Sequence, residues 1–254
     1  MSRERRDKTI QRVSHPRRFE SGNGVSLPAE KPLPPEKPLP PEKPLPPEKH
    51  WAILLLGPTG SGKTPLGAML EQQGLDGQSC VHFDFGHNLR ERVAKSEPDE
   101  VVSEQDIAFL RGVLERGALL EDRDFPIARR LLASFLRKRQ VQAGTIVVMN
   151  GLPRHVGQAR ALNSSLDMRA VIMLQCSPEV VRQRIATNAG GDRARRTDDD
   201  AQAIERKLEI YARRTVPLVR DLQARGAAVF EIPVTATMTC EQMWRQLQAG
   251  RIAL

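Results

Sequence analysis

Residues 1–49 show no hydrophobic periodicity, whereas the rest of the chain alternates between two apolar patterns. Short apolar runs bounded by glycine, proline or polar residues read as buried strands, and apolar positions spaced three and four apart read as helices laid on a sheet. The runs Ala52–Leu56, Cys80–Phe83, Thr145–Met149, Val171–Gln175 and Ala228–Ile232 predict strands. Helices are expected over Pro65–Gln72, Leu89–Lys95, Glu104–Arg116, Pro126–Gln140, Val156–Leu162, Pro178–Thr187, Asp199–Ala224 and Cys240–Gln248. Pro126 and Pro178 fall at helix starts, where the missing N–H is not needed, and Pro217 predicts a kink in the longest helix. Strands alternating with helices indicate an α/β domain with a parallel sheet, beginning near His50.

The segment before it has a different character. Met1–Asn23 is polar and rich in arginine, with Glu4, Asp7 and Glu20 interspersed, so it does not resemble an acid-poor transit peptide. It reads as a solvated tail, with a nucleic-acid arm as the lesser alternative. From Glu30 the hexapeptide EKPLPP occurs three times, followed by Glu48-Lys49. Proline at this density favours polyproline II, and at about 3.1 Å per residue the repeat would reach roughly 60 Å. It predicts a spacer over 30–49, or a ligand for a proline-motif-reading protein.

The strongest local signal follows the first strand. Gly57-Pro58-Thr59-Gly60-Ser61-Gly62-Lys63-Thr64 fits G-x-x-x-x-G-K-[ST] and lies between a strand and a helix, as a P-loop must. Glycines let the backbone approach a ligand closely, so that several N–H groups can point at phosphate oxygens. The helix N-terminus adds partial positive charge. Lys63 would reach the β- and γ-phosphates of ATP, and Thr64 would hold Mg²⁺. Pro65 is unusual, because it removes one N–H near the α-phosphate.

Composition adds limits. The 254-residue chain carries a formal charge of +8 and only 4% aromatic residues. Residues 1–50 contain 11 Lys+Arg and 7 Asp+Glu, leaving 28 and 24 for the remainder. That small excess suits a phosphate site and does not call for nucleic acid. No apolar run is long enough to span a bilayer. Cys80, Cys176 and Cys240 form neither a metal pattern nor a disulfide framework, so a reducing, cytoplasmic setting is expected. His82, His87 and His155 lack ligand spacing, and a guanine-reading Asn-Lys-x-Asp segment is missing.

Three further segments complete the pattern. They are Val81–Arg90, Val148–Ala159, and Asp192–Asp200 followed by Ile204–Tyr211 and Thr215–Leu218. With the P-loop, in this order and spacing, they resemble adenylate kinase and its nucleoside monophosphate kinase relatives over Trp51–Gln248. Asn150-Gly151-Leu152-Pro153-Arg154 is similar to that family's Asp-Gly-Phe-Pro-Arg. The resemblance implies a P-loop NTPase fold of three α/β/α layers on a five-stranded parallel sheet. It also implies a monophosphate-binding insertion and a short, zinc-free lid near 188–198.

The same resemblance implies roles. Gly57, Thr59, Gly60, Ser61, Gly62, Lys63 and Thr64 would cradle ATP, and Arg184 would pack on its base. Lys63, Arg90, Arg154 and the lid residue Arg196 would be catalytic. Asp84, Phe85, Arg90, Gly151, Arg154 and Gln158 would line the acceptor site, with AMP the first candidate and Gln158 reading its base. Thr64, and Asn150 through a water, would hold Mg²⁺. Independently of any family, in-line phosphoryl transfer needs cations that position two phosphates, and arginine forks suit this. Arg154 follows a predicted strand end, where ligands of open α/β sheets gather. A monomer is expected.

The chain also departs from the family. Asn150 stands where a carboxylate is expected, Phe85 and His87 replace polar acceptor-site residues, Asn188 replaces an arginine and Lys207 another. Asp84 is unmatched: it reads either as a cleft residue that bonds a ribose or acts as base, or as a cap for the next helix. A nucleotide-binding module without turnover and a kinase of a small metabolite are the alternatives.

Overall fold

The computed structural model describes residues 49–118, 120–192 and 201–250. All belong to the compact unit Leu45–Leu254. The proline-rich repeat up to Glu48, and residues 193–200, which include Arg196 and most of the lid expected near 188–198, lie outside the described residues.

Five strands form one sheet: β1 (His50–Leu56), β2 (Cys80–Asp84), β3 (Ile146–Asn150), β4 (Leu166–Gln175) and β5 (Ala228–Pro233). Their order is β2-β3-β1-β4-β5 and every pairing is parallel. All five carboxyl ends therefore lie along one edge. The chain leaves β1 for β2 on one side and reaches β4 on the other, so a crevice opens at the end of β1.

Alternation along β1 explains the layers. Ala52, Leu54 and Leu56 enter one buried cluster, while Ile53 and Leu55 enter the other. The second cluster is closed by Leu66 and Leu70 of α1 (Lys63–Gln73) and by Met243 and Leu247 of α9 (Cys240–Ala249). The first is closed by α3 (Glu104–Arg116), α4 (Phe125–Lys138), α5 (Val156–Leu162) and α8 (Val216–Ala224). A sheet buried on both faces is the three-layer α/β/α arrangement, and it explains why its strands read as near-continuous apolar runs. No described helix is long and apolar enough to cross a membrane.

Three elements differ from expectation. α2 (Phe85–Lys95) starts four residues earlier than predicted, because Asp84 caps it by accepting a hydrogen bond from the His87 N–H. Such a cap is worth about 1 kcal/mol, which offsets the poor helix propensity of Gly86. β4 extends back to Leu166 through the polar Asp167 and Arg169, and Arg169 stacks 3.8 Å over the Trp51 ring. The long helix predicted over Asp199–Ala224 is α7 (Ala201–Ile210), a π-helical turn (Tyr211–Thr215) and α8 in succession. Its irregularity precedes Pro217, whose ring and missing N–H cannot fit a regular preceding turn.

Candidate active site

The strand–loop–helix order delivers the P-loop to the crevice. Gly57 has φ 154°, and a Cβ there would meet the Leu174 carbonyl oxygen at 2.9 Å. Gly62 has φ 102° at the N-cap of α1, a conformation open to glycine. Lys63 Nζ donates to the carbonyl oxygens of Gly57 at 2.8 Å and Pro58 at 2.7 Å. The ammonium thus sits within the loop's own curve. Pro65 lies in the first turn of α1, where its missing N–H breaks no helical hydrogen bond.

Beyond the loop, the ends of β2 and β3 bring three polar side chains together. Thr64 Oγ1 donates to Asp84 Oδ2 at 2.6 Å. Asn150 Nδ2 donates to the same Oδ2 at 2.8 Å and to Thr64 Oγ1 at 3.1 Å. Asp84 Oδ1 accepts from the His87 N–H at 2.8 Å. Asp84 is therefore both things the sequence left open, a helix cap and a cleft carboxylate. Burial pushes its pKa up, but the hydrogen bonds from Thr64 and His87 and the charges of His82 and Arg90 outweigh that and hold it below the ordinary value. The cluster offers hard oxygen donors with one net negative charge, a set that fits Mg²⁺.

A cavity of about 210 Å³ joins this cluster to the P-loop. Lys63, Asp84, Arg90, Arg154 and Gln158 all line it, so the structure brings together most of the polar residues singled out in the sequence. Phe85, Leu89, Val113, Leu114 and Leu120 form an apolar wall at the same cavity. Arg154 is half-buried, and among the described residues its guanidinium makes no hydrogen bond or ion pair. Burial lowers its pKa to about 10. The guanidinium is thus a desolvated cation at the cavity wall.

Two expected ligand contacts are occupied by main chain instead. Gln158 is fully buried; its Oε1 accepts from the Arg154 N–H at 2.7 Å and its Nε2 donates to the Leu120 carbonyl at 2.9 Å. Here the amide holds the Arg154 loop in place. Arg184, on α6 (Pro178–Ala186), is 2% exposed and donates to the carbonyls of Gly60, Thr235, Ala236 and Met238. It ties the P-loop to the segment between β5 and α9. Asn188 adopts φ 48° just beyond α6, a left-handed conformation that asparagine tolerates better than most residues.

Sequence reading gave no site role to Tyr211 and Thr215, which lie in the π-helical turn and line the cavity. Thr215 is 2% exposed and its Oγ1 has no hydrogen-bond partner among the described residues. Both lie in segments that carry the family resemblance, but nothing in the sequence assigned either a place in the cleft.

A glycine loop with its lysine at the end of β1, a carboxylate beside its threonine and an arginine across the cavity define a P-loop phosphotransferase cleft. A family model described as "AAA domain" matches residues 53–205. The adenylate kinase of Xanthomonas campestris pv. campestris (strain B100) is 32% identical over 181 residues, covering 68% of this chain and 86% of that protein. An adenylate kinase of Thermus thermophilus is 30% identical over 180 residues, covering 69% and 84%. A solved gluconokinase from Sinorhizobium meliloti 1021 superposes with TM-score 0.43 at 17% identity over 78% of this chain and 90% of that one, too loosely to bear on acceptor or mechanism. The chain belongs to the adenylate kinase family of P-loop proteins and is an adenylate-kinase-like phosphotransferase.

Proposed function

We propose that the protein transfers the γ-phosphoryl group of ATP to a nucleoside monophosphate, with AMP the first candidate. The observation that carries this reading is Arg154, a half-buried cation without a partner among the described residues, lining the same cavity as Lys63. The curated relatives named adenylate kinase support the same acceptor class.

The residues divide the work as follows. The P-loop backbone and the N-terminus of α1 bind the triphosphate, and Lys63 neutralises charge on the transferred group. Thr64 and the polar cluster beside it would hold Mg²⁺, which would supply further charge neutralisation. Arg154 and Arg90 grip the acceptor phosphate, and a guanidinium does so in a fixed, bidentate orientation. Phe85, Leu89 and Leu120 exclude water, which strengthens these interactions. Positioning and electrostatic stabilisation are the main contributions a protein makes to phosphoryl transfer. The protein works as a cytosolic monomer in this reading, with the EKPLPP segment as spacer or as ligand of a proline-reading partner.

The engaged Gln158 amide favours a second reading, a small hydroxyl-bearing metabolite as acceptor. Incubation with Mg-ATP and AMP, CMP, UMP or GMP separates the two. Diphosphate formation from AMP, reduced about 10²–10³-fold by Arg154→Met, is expected. No diphosphate from any of the four would overturn the nucleotide reading, and ATP binding without transfer to any acceptor would leave a binding module.

A further inference from the structure

Asp84 and Asn150 are direct register partners across the parallel β2–β3 ladder, each the last residue of its strand. Both side chains turn to Thr64, the hydroxyl residue of the P-loop. Only one of the pair is charged. Asn150 approaches Thr64 through its Nδ2, a donor, and a donor cannot ligate a cation. Asp84 approaches through Oδ2, whose distance to Thr64 Oγ1 is 2.6 Å. Two adjacent ligands of an octahedral Mg²⁺ at 2.0–2.1 Å stand roughly 2.9 Å apart, so a small outward shift of either oxygen admits the ion.

We propose that Asp84, together with Thr64, holds the Mg²⁺ of the bound nucleotide, and that Asn150 is a positioning residue for the Asp84 carboxylate. The negative charge expected at the end of β3 is supplied instead from the neighbouring strand. The two carboxylate oxygens have separate duties. Oδ1 is fixed by the His87 N–H at the start of α2, which leaves Oδ2 aimed at Thr64. Asn150 Nδ2 donates to both Oδ2 and Thr64 Oγ1, and so holds the two oxygens side by side. A cap that also orients a metal ligand ties the start of α2, and with it Phe85 and Arg90, to occupancy of the nucleotide site.

This inference rests on nucleotide binding at the P-loop, but not on the identity of the acceptor. Its test is therefore a binding measurement: titration with a fluorescent ATP analogue in Mg²⁺ and again in EDTA. The unsubstituted protein is expected to bind more tightly with Mg²⁺. In Asp84→Asn the Mg²⁺-dependent gain should fall by at least about 10–100-fold, the range found when groups that merely orient a metal ligand are removed. Asparagine also caps helices, so α2 and the thermal midpoint should be preserved. The double substitution Asp84→Asn with Asn150→Asp should recover much of the gain. An Asp84→Asn variant that keeps the full Mg²⁺ dependence overturns the proposal, above all if it has lost turnover, since Asp84 would then act on the acceptor. A double variant that recovers nothing overturns the exchange of duties between the strand ends. If the unsubstituted protein binds no nucleotide under either condition, the P-loop reading itself fails. Binding with a Mg²⁺ gain but no transfer to any acceptor removes only the proposed reaction.

Discussion

The Arg184 guanidinium donates to the Gly60 carbonyl at 3.1 Å, joining α6 to the P-loop across 124 residues of sequence. The same group donates to Thr235 at 2.9 Å and Met238 at 2.8 Å, so one buried cation fixes the distance between two loops that flank the nucleotide site. Hydrogen bonds from charged groups are worth roughly 1.5–3 kcal/mol each, and their buried acceptors are costly to leave unpaired. Arg184→Met is expected to lower unfolding free energy by roughly 3 kcal/mol or more and to weaken ATP binding through the loosened Gly60. Urea denaturation and a nucleotide titration on one variant would check both effects; an unchanged midpoint would show that the guanidinium is not a structural tie.

Arg154 should behave in the opposite way. Its pKa, lowered to about 10 by burial, means that the charged form is less favourable in the folded state than in the unfolded chain. At neutral pH that is a cost to stability, which replacing the guanidinium by an apolar side chain removes. Arg154→Met is expected to raise the thermal midpoint of the ligand-free protein by a few degrees, taking about 2–4 °C per kcal/mol for a chain of this size. It should also abolish the midpoint increase given by AMP to the unsubstituted protein. Differential scanning fluorimetry with and without AMP reads both, and a less stable, still AMP-responsive variant would refute the assignment.

Gly67 and His82 make a tight joint between α1 and β2. A Cβ at position 67 would collide with His82 Nε2, a buried atom with no hydrogen-bond partner among the described residues. Gly67→Ala gains helix propensity but overpacks this joint, so a net loss of about 1–3 kcal/mol is expected. Combining it with His82→Ala should cost less than the sum of the two single changes. Additive losses in a denaturation cycle would place the imidazole elsewhere.

Cys80 is shielded. Burial and the negative charge of Glu71 push its thiol up to about 12. The thiolate is the reactive form, so Cys80 should resist alkylation at about pH 8 while the protein is folded and react once it is denatured. Mass spectrometry after iodoacetamide treatment would reveal the pattern; rapid labelling of Cys80 in the native protein would contradict the packing of β2.

Much of this fold was legible in the sequence because its signals are local. Each β-strand matched an apolar run, and the helix expected over Val156–Leu162 has those bounds in the structure. The misses have equally local causes. The first half of β4 hides behind Asp167 and Arg169, whose polar atoms pair with each other at 2.9 Å while Trp51 covers the guanidinium. The start of α2 hides behind Gly86, because a cap by Asp84 outweighs propensity there. The π-helical turn could not be inferred from Pro217 alone, since proline announces an irregularity without choosing its form.

By itself, the sequence determined the P-loop and its place between β1 and α1, since that motif needs only neighbours in the chain: glycines for the turn, an apolar run before it and a helix after it. It also determined the family and the set of arginines from which a phosphate site could be built. The tertiary structure decided how those residues are used. Asp84 meets Asn150 across 66 residues of sequence and Thr64 across 20, because the strand order sets β2 beside β3 and both beside the loop. Arg154 lines the cavity without a partner among the described residues, whereas Arg184 is buried among carbonyls. The two side chains have the same chemistry. What separates them is desolvation and the supply of acceptors, and both follow from packing between elements distant in the chain.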